Sequence, residues 1–426
     1  MQAASKHRMT EEQRLITNLP PEEAAVAKAT TGGAEMYWPQ LDGIRSLAFL
    51  LVFVHHVGRI PQAQRVLPEV VLKVVDTVSA WGWVGVDIFF TLSGFLITHL
   101  LLAEKKQFNS ISFKLFFARR ALRIWPVYYL LLFFAVILVP VLHWQSLNLK
   151  LYGEFLLKQG LPLALFCGNI SMAFPSVMIK FMKPPDVFLL LPTWSLAVEE
   201  QFYLTWPFLL KILPTPKAIY RLILALTVLS LAARAVLWYV SHYLLHMTYP
   251  VSLYYYFTLS HLEPLMAGAV CAVTISYFPE FKEKIKKIKT HIFVALGLLI
   301  FFCTAVFPEI SKNSYLNIFM FSCVAMGCLL FLISALVSPV VAKVFSNKIL
   351  ASFGKLTYAM YLVHMYFISI AETSLQDLFK VPLTSPFFWV LKFCLALSLS
   401  YGFAFVSWHL LESRFLKMRK LFRRHV

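Results

Sequence analysis

Apolar residues along this chain gather into long blocks separated by short polar or basic connections. A block of about 20 residues wound as a helix spans the roughly 30 Å hydrocarbon layer of a bilayer. Helices are the natural solution there, because backbone polar groups in lipid must be satisfied within the segment. The pattern therefore predicts an all-α, polytopic integral membrane protein. About ten transmembrane helices are placed near 41–58, 81–103, 122–142, 191–213, 219–241, 254–277, 291–308, 315–338, 353–372 and 387–411. The run 155–172 is weaker and carries Gly160, Pro162 and Gly168. It is expected to be a re-entrant or peripheral segment, since the basic clusters Lys105 to Arg123, Lys211 to Arg221, Lys282 to Lys289, Lys343 to Lys348 and Lys417 to Arg424 then share one face. By the positive-inside rule that face is cytoplasmic, with both termini on it. The opposite face carries the long 143–190 excursion, whose Trp144, Asn148 and Asn169 can face an acceptor.

Composition reinforces this picture. Of 426 residues, 59% are hydrophobic and 14% charged, more apolar surface than a water-soluble domain can cover. The formal net charge of +18 sits mainly in the short connections, so it reports orientation and not a nucleic-acid partner. Cys167, Cys271, Cys303, Cys323, Cys328 and Cys394 lie in or beside apolar stretches without C-x-x-C or metal spacing, and read as packing residues. Residues 1–37 are polar and broken by Pro20, Pro21, Gly32 and Gly33, as expected of a cytoplasmic, disordered tail. A single membrane domain over 38–415 and a basic tail over 416–426 follow.

Ionisable groups at membrane depth are costly and so are functional candidates. Arg45 and His56 are eleven residues apart on the first helix, which returns them to nearly one face with His56 about 16 Å deeper. An imidazole can take a proton from a hydroxyl, making His56 a candidate general base, while His55 points elsewhere. The plainer alternative is a snorkelling Arg45 and a structural His56. Asp87, in the second predicted helix, needs a partner and can orient a histidine or satisfy an arginine; Ser93 lies on the same helix. Arg119 and Arg123 stand one turn apart with Arg120 beside them, an arrangement that suits a phosphorylated donor, although composition alone favours a positive-inside anchor or an anionic-lipid contact. In the span opening at Leu191, Ser195, Glu199 and Tyr203 share a face at successive i,i+4 spacings, beside Trp194 and Glu200. A carboxylate there can steady an imidazolium, although a helix-start glutamate such as Glu200 can be merely solvated. Arg234, the tyrosines at 254–256, His261 and Glu263 follow, and Tyr361 and His364 stand at i,i+3 further on, a lone histidine such as His364 being more often structural.

Five stretches carry a resemblance: LDGIRSLAFLLVFVHH, GWVGVDIFFTLSGFLI, FFARRALRIWP, PTWSLAVEEQFYLTWP and GKLTYAMYLVH. In order over about residues 38–415, they resemble the membrane acyltransferase-3 family, whose members O-acylate sugars and other small acceptors. The resemblance implies a cytoplasmic acyl-CoA donor, often acetyl-CoA, with no permanently bound cofactor or metal, and a hydroxylated acceptor such as a surface polysaccharide, a lipid-linked glycan or a smaller metabolite. It implies roles as well: Arg45, His56 and Glu199 in catalysis, with Arg119 and Arg123 near the donor's phosphates, where Arg120 and Ser93 are expected beside them. Trp194, Ser195, Glu200, Tyr203, His364 and Asp87 are expected around the substrate. His56 would deprotonate the hydroxyl, and Ser93, Tyr203 or a helix-terminal amide would receive the oxyanion. Ser46 and Ser413 depart from positions where glycine and proline are common, without removing a proposed catalytic group. The chain also ends soon after the last predicted span, so an extracytoplasmic esterase-like domain found in some relatives is not expected, and the location expected is a bacterial inner membrane. The rival reading is a transporter or flippase, whose pathways are lined by the same residue types, but no repeat relates the two halves.

Overall fold

A computed structural model describes residues 38–58, 68–138, 149–173, 189–247, 250–281, 295–300, 315–382 and 387–422, with 283, 293 and 385 besides. Every regular element among them is helical. They run as α1 (Pro39–Val57), α2 (Glu69–Trp81), α3 (Val84–Phe108), α4 (Phe113–Phe133), α5 (Leu149–Phe155), α6 (Leu161–Ala164), α7 (Gly168–Met172) and α8 (Thr193–Ile212). Then follow α9 (Pro216–Tyr239), α10 (Pro250–Tyr256), α11 (Leu262–Tyr277), α12 (Asn317–Val337), α13 (Pro339–Phe345), α14 (Lys348–Thr373), α15 (Phe388–Ser407) and α16 (Ser413–Met418). Starts are set locally: Thr215 caps α9 by accepting from the Ala218 amide at 3.2 Å ahead of Pro216, and Asn347 caps α14 by accepting from the Ile349 amide at 2.9 Å.

Six of the described helical stretches are long and apolar enough to cross a membrane: Val84–Phe108, Phe113–Leu138, Pro216–Leu244, Thr258–Tyr277, Ile318–Val337 and Phe388–Phe422. Expected spans near 41–58, 191–213 and 353–372 form as helices α1, α8 and α14 but are not among these six. The reason is polar content, since α1 carries Asp42, Arg45, His55 and His56, and α8 carries Glu199, Glu200 and Gln201. The expected helix at 291–308 lies largely outside the described residues. The 155–172 run is helical from Leu149 to Ala164, partly as a π-helical turn, and breaks at Leu165–Cys167 before α7.

Small residues draw α3 into the centre. Gly94 packs so closely on α11 that an added Cβ would overlap the Leu265 carbonyl, and a Cβ at Gly268 would overlap the Thr91 carbonyl in return. Replacing Gly94 by valine is expected to cost about 1–3 kcal/mol or more through overpacking. A lowered melting temperature of the detergent-solubilised protein checks this. The contact matters because α3 holds Asp87 and Ser93 in the interior.

Candidate functional site

Among the described residues, two polar centres in the helix core hold the predicted site residues. The first joins α3 and α8. Ser93 Oγ donates to Glu199 Oε1 at 2.6 Å, while Tyr203 OH lies 3.1 Å from both Glu199 Oε2 and Ser93 Oγ. The i,i+4 spacing of Glu199 and Tyr203 puts both groups on the face that meets Ser93. Arg45 and Arg123 both bring positive charge to bear on Glu199. Arg45 also pairs with Asp42 one turn before it. Arg120 is buried and acts on Tyr203 and Glu200, and Arg123 also faces Glu412, whose Oε1 accepts from Ser407 Oγ at 3.0 Å. Four helices thus send groups of both signs to one place, where low dielectric makes their interactions strong.

Arg119 points away from this centre. It pairs with Glu104 at 3.3 Å and donates to the Phe422 carbonyl at 2.9 Å, fastening α3 and α4 to the C-terminal turn. Glu200 diverges from Glu199 by the 100° step of the helix and takes a hydrogen bond from Trp125.

The second centre surrounds His56. His56 Nδ1 lies 3.0 Å from His364 Nε2, and His364 Nδ1 donates to the Tyr361 carbonyl at 2.6 Å. His56 lines a cavity of about 300 Å³ together with Trp83, Trp194, Tyr255, Tyr361 and Phe321. Tyr361 OH shares a 2.7 Å hydrogen bond with Ser195 Oγ, placing α8 and α14 in contact between the two centres. His55, expected to point elsewhere, also lines this cavity, while its ring donates from Nδ1 to the Ser79 carbonyl at 2.7 Å and anchors α2.

The aromatic wall is itself held from behind. Asp87 faces His261 Nδ1 at 3.6 Å, and His261 Nε2 donates to the Tyr255 carbonyl at 2.5 Å. Among the described residues Asp87 thus lies beside a histidine, with its Oδ2 and the His261 Nδ1 making no hydrogen bond. Asn169 on α7 donates to the Tyr256 carbonyl at 3.0 Å and to Thr258 Oγ1 at 2.9 Å, while Gln201 on α8 donates to Asn169 Oδ1 at 3.0 Å. The 155–172 segment thus braces the cavity wall. Trp83 and Phe321 were not legible as site residues, because their only sequence signal is apolarity. Among the described residues no group of three or more His, Cys, Asp or Glu could hold a metal ion.

The family model described as "Acyltransferase domain" matches residues 38–405. The chain belongs to this acyltransferase family. Peptidoglycan O-acetyltransferase OatA of Listeria monocytogenes is 28% identical over 375 residues, 85% of this chain and 53% of that protein. A provisionally named O-acetyltransferase of Staphylococcus aureus strain MSSA476 is 27% identical over 397 residues, 89% of this chain and 58% of its own length. A provisionally named peptidoglycan O-acetyltransferase of Bacillus subtilis is 27% identical over 383 residues, 86% and 54% respectively. The chain thus spans little more than half the length of these relatives. No solved structure matches it significantly. Family membership and the apolar helices make this acyltransferase-family chain an integral membrane protein.

Proposed function

We propose that this protein is a membrane O-acyltransferase that moves an acyl group, acetyl in the first instance, from cytoplasmic acyl-CoA to a hydroxyl of a carbohydrate or glycolipid. The observation that carries the reading is His56 on the wall of an aromatic cavity, reached along α1 from Arg45. Aromatic faces suit the apolar faces of a sugar ring, and the name of the Listeria relative points to a peptidoglycan-type glycan. The membrane is taken to be a bacterial inner membrane with both termini cytoplasmic.

In this reading the arginine-rich start of α4 faces the cytoplasm. Arg120 and Arg123 receive the donor's phosphates, while Arg119, held by Glu104, fastens the helix, with Arg45 next along the path and the thioester brought toward His56. His56 Nε2 takes the proton from the acceptor hydroxyl as its oxygen attacks the thioester carbonyl. The new C–O bond forms, the C–S bond breaks, and the proton passes from His56 to the departing CoA sulfur. Ser93 and Tyr203 are both bonded to Glu199, which favours a structural and electrostatic role for that trio. Tyr361, which lines the cavity with His56 and shares a hydrogen bond with Ser195, offers a hydroxyl for the tetrahedral oxyanion.

The test is transfer of label from radiolabelled acetyl-CoA to glycan in membranes carrying the protein. Label in glycan that depends on the protein supports the reading. Absence of transfer and of CoA binding, together with protein-dependent movement of a solute, would establish transport instead. Within the same assay, Arg123→Ala is expected to raise KM for acetyl-CoA about 10- to 100-fold, the equivalent of about 1.5–3 kcal/mol for a hydrogen bond to a charged group. An unchanged KM would remove Arg123 from the donor site.

A further inference from the structure

The contact between His56 and His364 has a direction that the ring nitrogens dictate. A carbonyl oxygen only accepts, so His364 Nδ1, 2.6 Å from the Tyr361 carbonyl, carries a hydrogen. In a neutral ring the other nitrogen, Nε2, is then a bare lone pair. Nothing offsets a second proton on that ring: His364 is fully buried, its ring lies 6.0 Å from that of Phe49 and 6.3 Å from that of Phe53, and no carboxylate among the described residues forms an ion pair with it. His56 Nδ1, 3.0 Å from His364 Nε2, must therefore be the donor, and the His56 ring also hydrogen-bonds the Val52 backbone carbonyl one turn back along α1, so His364 and that carbonyl orient it together. That assignment leaves His56 Nε2 unprotonated on a ring that borders the cavity.

We propose that His364 is a positioning residue: it holds His56 in the Nδ1–H tautomer and so turns a basic Nε2 toward the acceptor hydroxyl. The proposal rests on the reading of His56 as the base. It also gives the base a partner while it is charged. Once Nε2 has taken the hydroxyl proton, the hydrogen bond from His56 Nδ1–H to His364 becomes charge-assisted and stronger, until the proton leaves with the CoA thiol. The logic is that of a base oriented by a third group, with a neutral imidazole in the place a carboxylate often takes. The Tyr361 carbonyl lies within α14, so the orientation is built into the helix that also presents the Tyr361 hydroxyl to the cavity.

The test uses full-length protein in lipid nanodiscs with ¹⁵N-labelled histidine, His56 being assigned by the signals that vanish in His56→Gln. The expected result is a pyridine-type Nε2 and a pyrrole-type Nδ1 for His56 in the wild type. His364→Phe keeps a ring but removes the acceptor. It is expected to mix the two tautomers and to lower the rate of acetyl transfer about 10- to 100-fold, as loss of an orienting partner does, with KM for acetyl-CoA unchanged. His364→Gln, whose Oε1 can accept where Nε2 did, is expected to recover both the tautomer and most of the rate. A pyrrole-type Nε2 at His56 in the wild type overturns the proposal, as does a His364→Phe variant with unaltered tautomer and rate. If the Phe variant does not fold, the wild-type spectrum and His364→Gln decide the matter. Full transfer in His56→Ala would overturn the base reading itself, a result to which the tautomer spectrum is independent.

Discussion

His56→Ala is expected to lower acetyl transfer about 10²- to 10⁴-fold, the share of the rate a positioned general base supplies, while acetyl-CoA still binds. The reason is spatial. His56 lies at the far end of α1, about 16 Å along the helix axis from Arg45 at 1.5 Å per residue, and the charges assembled around Glu199 come from Arg45 and Arg123. A variant that loses both binding and transfer would place His56 in the donor site or in the fold instead. Membranes carrying wild type and variant at matched expression, assayed for bound CoA and for labelled glycan, separate these outcomes.

Glu263→Ala is expected to be the most destabilising single substitution outside the site, by about 3–5 kcal/mol. Arg234 is fully buried, and its guanidinium meets Glu263 Oε2 at 2.5 Å, the Ser260 carbonyl at 2.8 Å, Ser322 Oγ at 2.9 Å and the Ile318 carbonyl at 3.1 Å. Glu263 in turn accepts from Ser322 Oγ at 2.8 Å. Removing the carboxylate leaves a buried cation without its counter-charge, whereas replacing both partners, as in Arg234→Met with Glu263→Leu, removes the charge altogether and is expected to recover much of the loss. Melting temperatures of the purified variants in detergent check the order. Single and double variants of equal stability would show that the pair is not coupled. The network also reaches the cavity, since Ser260 and Glu263 flank the turn that carries His261, whose Nε2 holds the Tyr255 carbonyl.

Much of this was legible in the residues alone, for a reason that the structure explains. Arg45, Asp87, Ser93, Glu199 and Tyr203 stand out because an ionisable or polar side chain in an apolar block is costly, and the fold gives Arg45, Ser93, Glu199 and Tyr203 specific hydrogen-bond partners while setting Asp87 beside His261. Helix spacing foretold that Glu199 and Tyr203 share a face, because 100° per residue is a local property, whereas His55, expected to point elsewhere, borders the same cavity as His56. The arginine run was less transparent. Arg119, Arg120 and Arg123 look equivalent in sequence, yet Arg119 is paired with Glu104, a residue of ordinary appearance at the end of α3.

What the sequence determined by itself is whatever depends on near neighbours and on solvent: apolar blocks that become helices, polar groups marked out by their misfit with lipid, and the order of motifs that makes the family recognisable. What only the tertiary structure decided is which partners those groups meet. His364 reaches His56 from 308 positions away, Ser93 reaches Glu199 from 106, and Asn169 grips the Tyr256 backbone from 87. Such pairings follow from how helices stack through close contacts like Gly94 on Leu265. Packing between helices is set by side chains that are far apart in the chain and by shapes that no periodicity records.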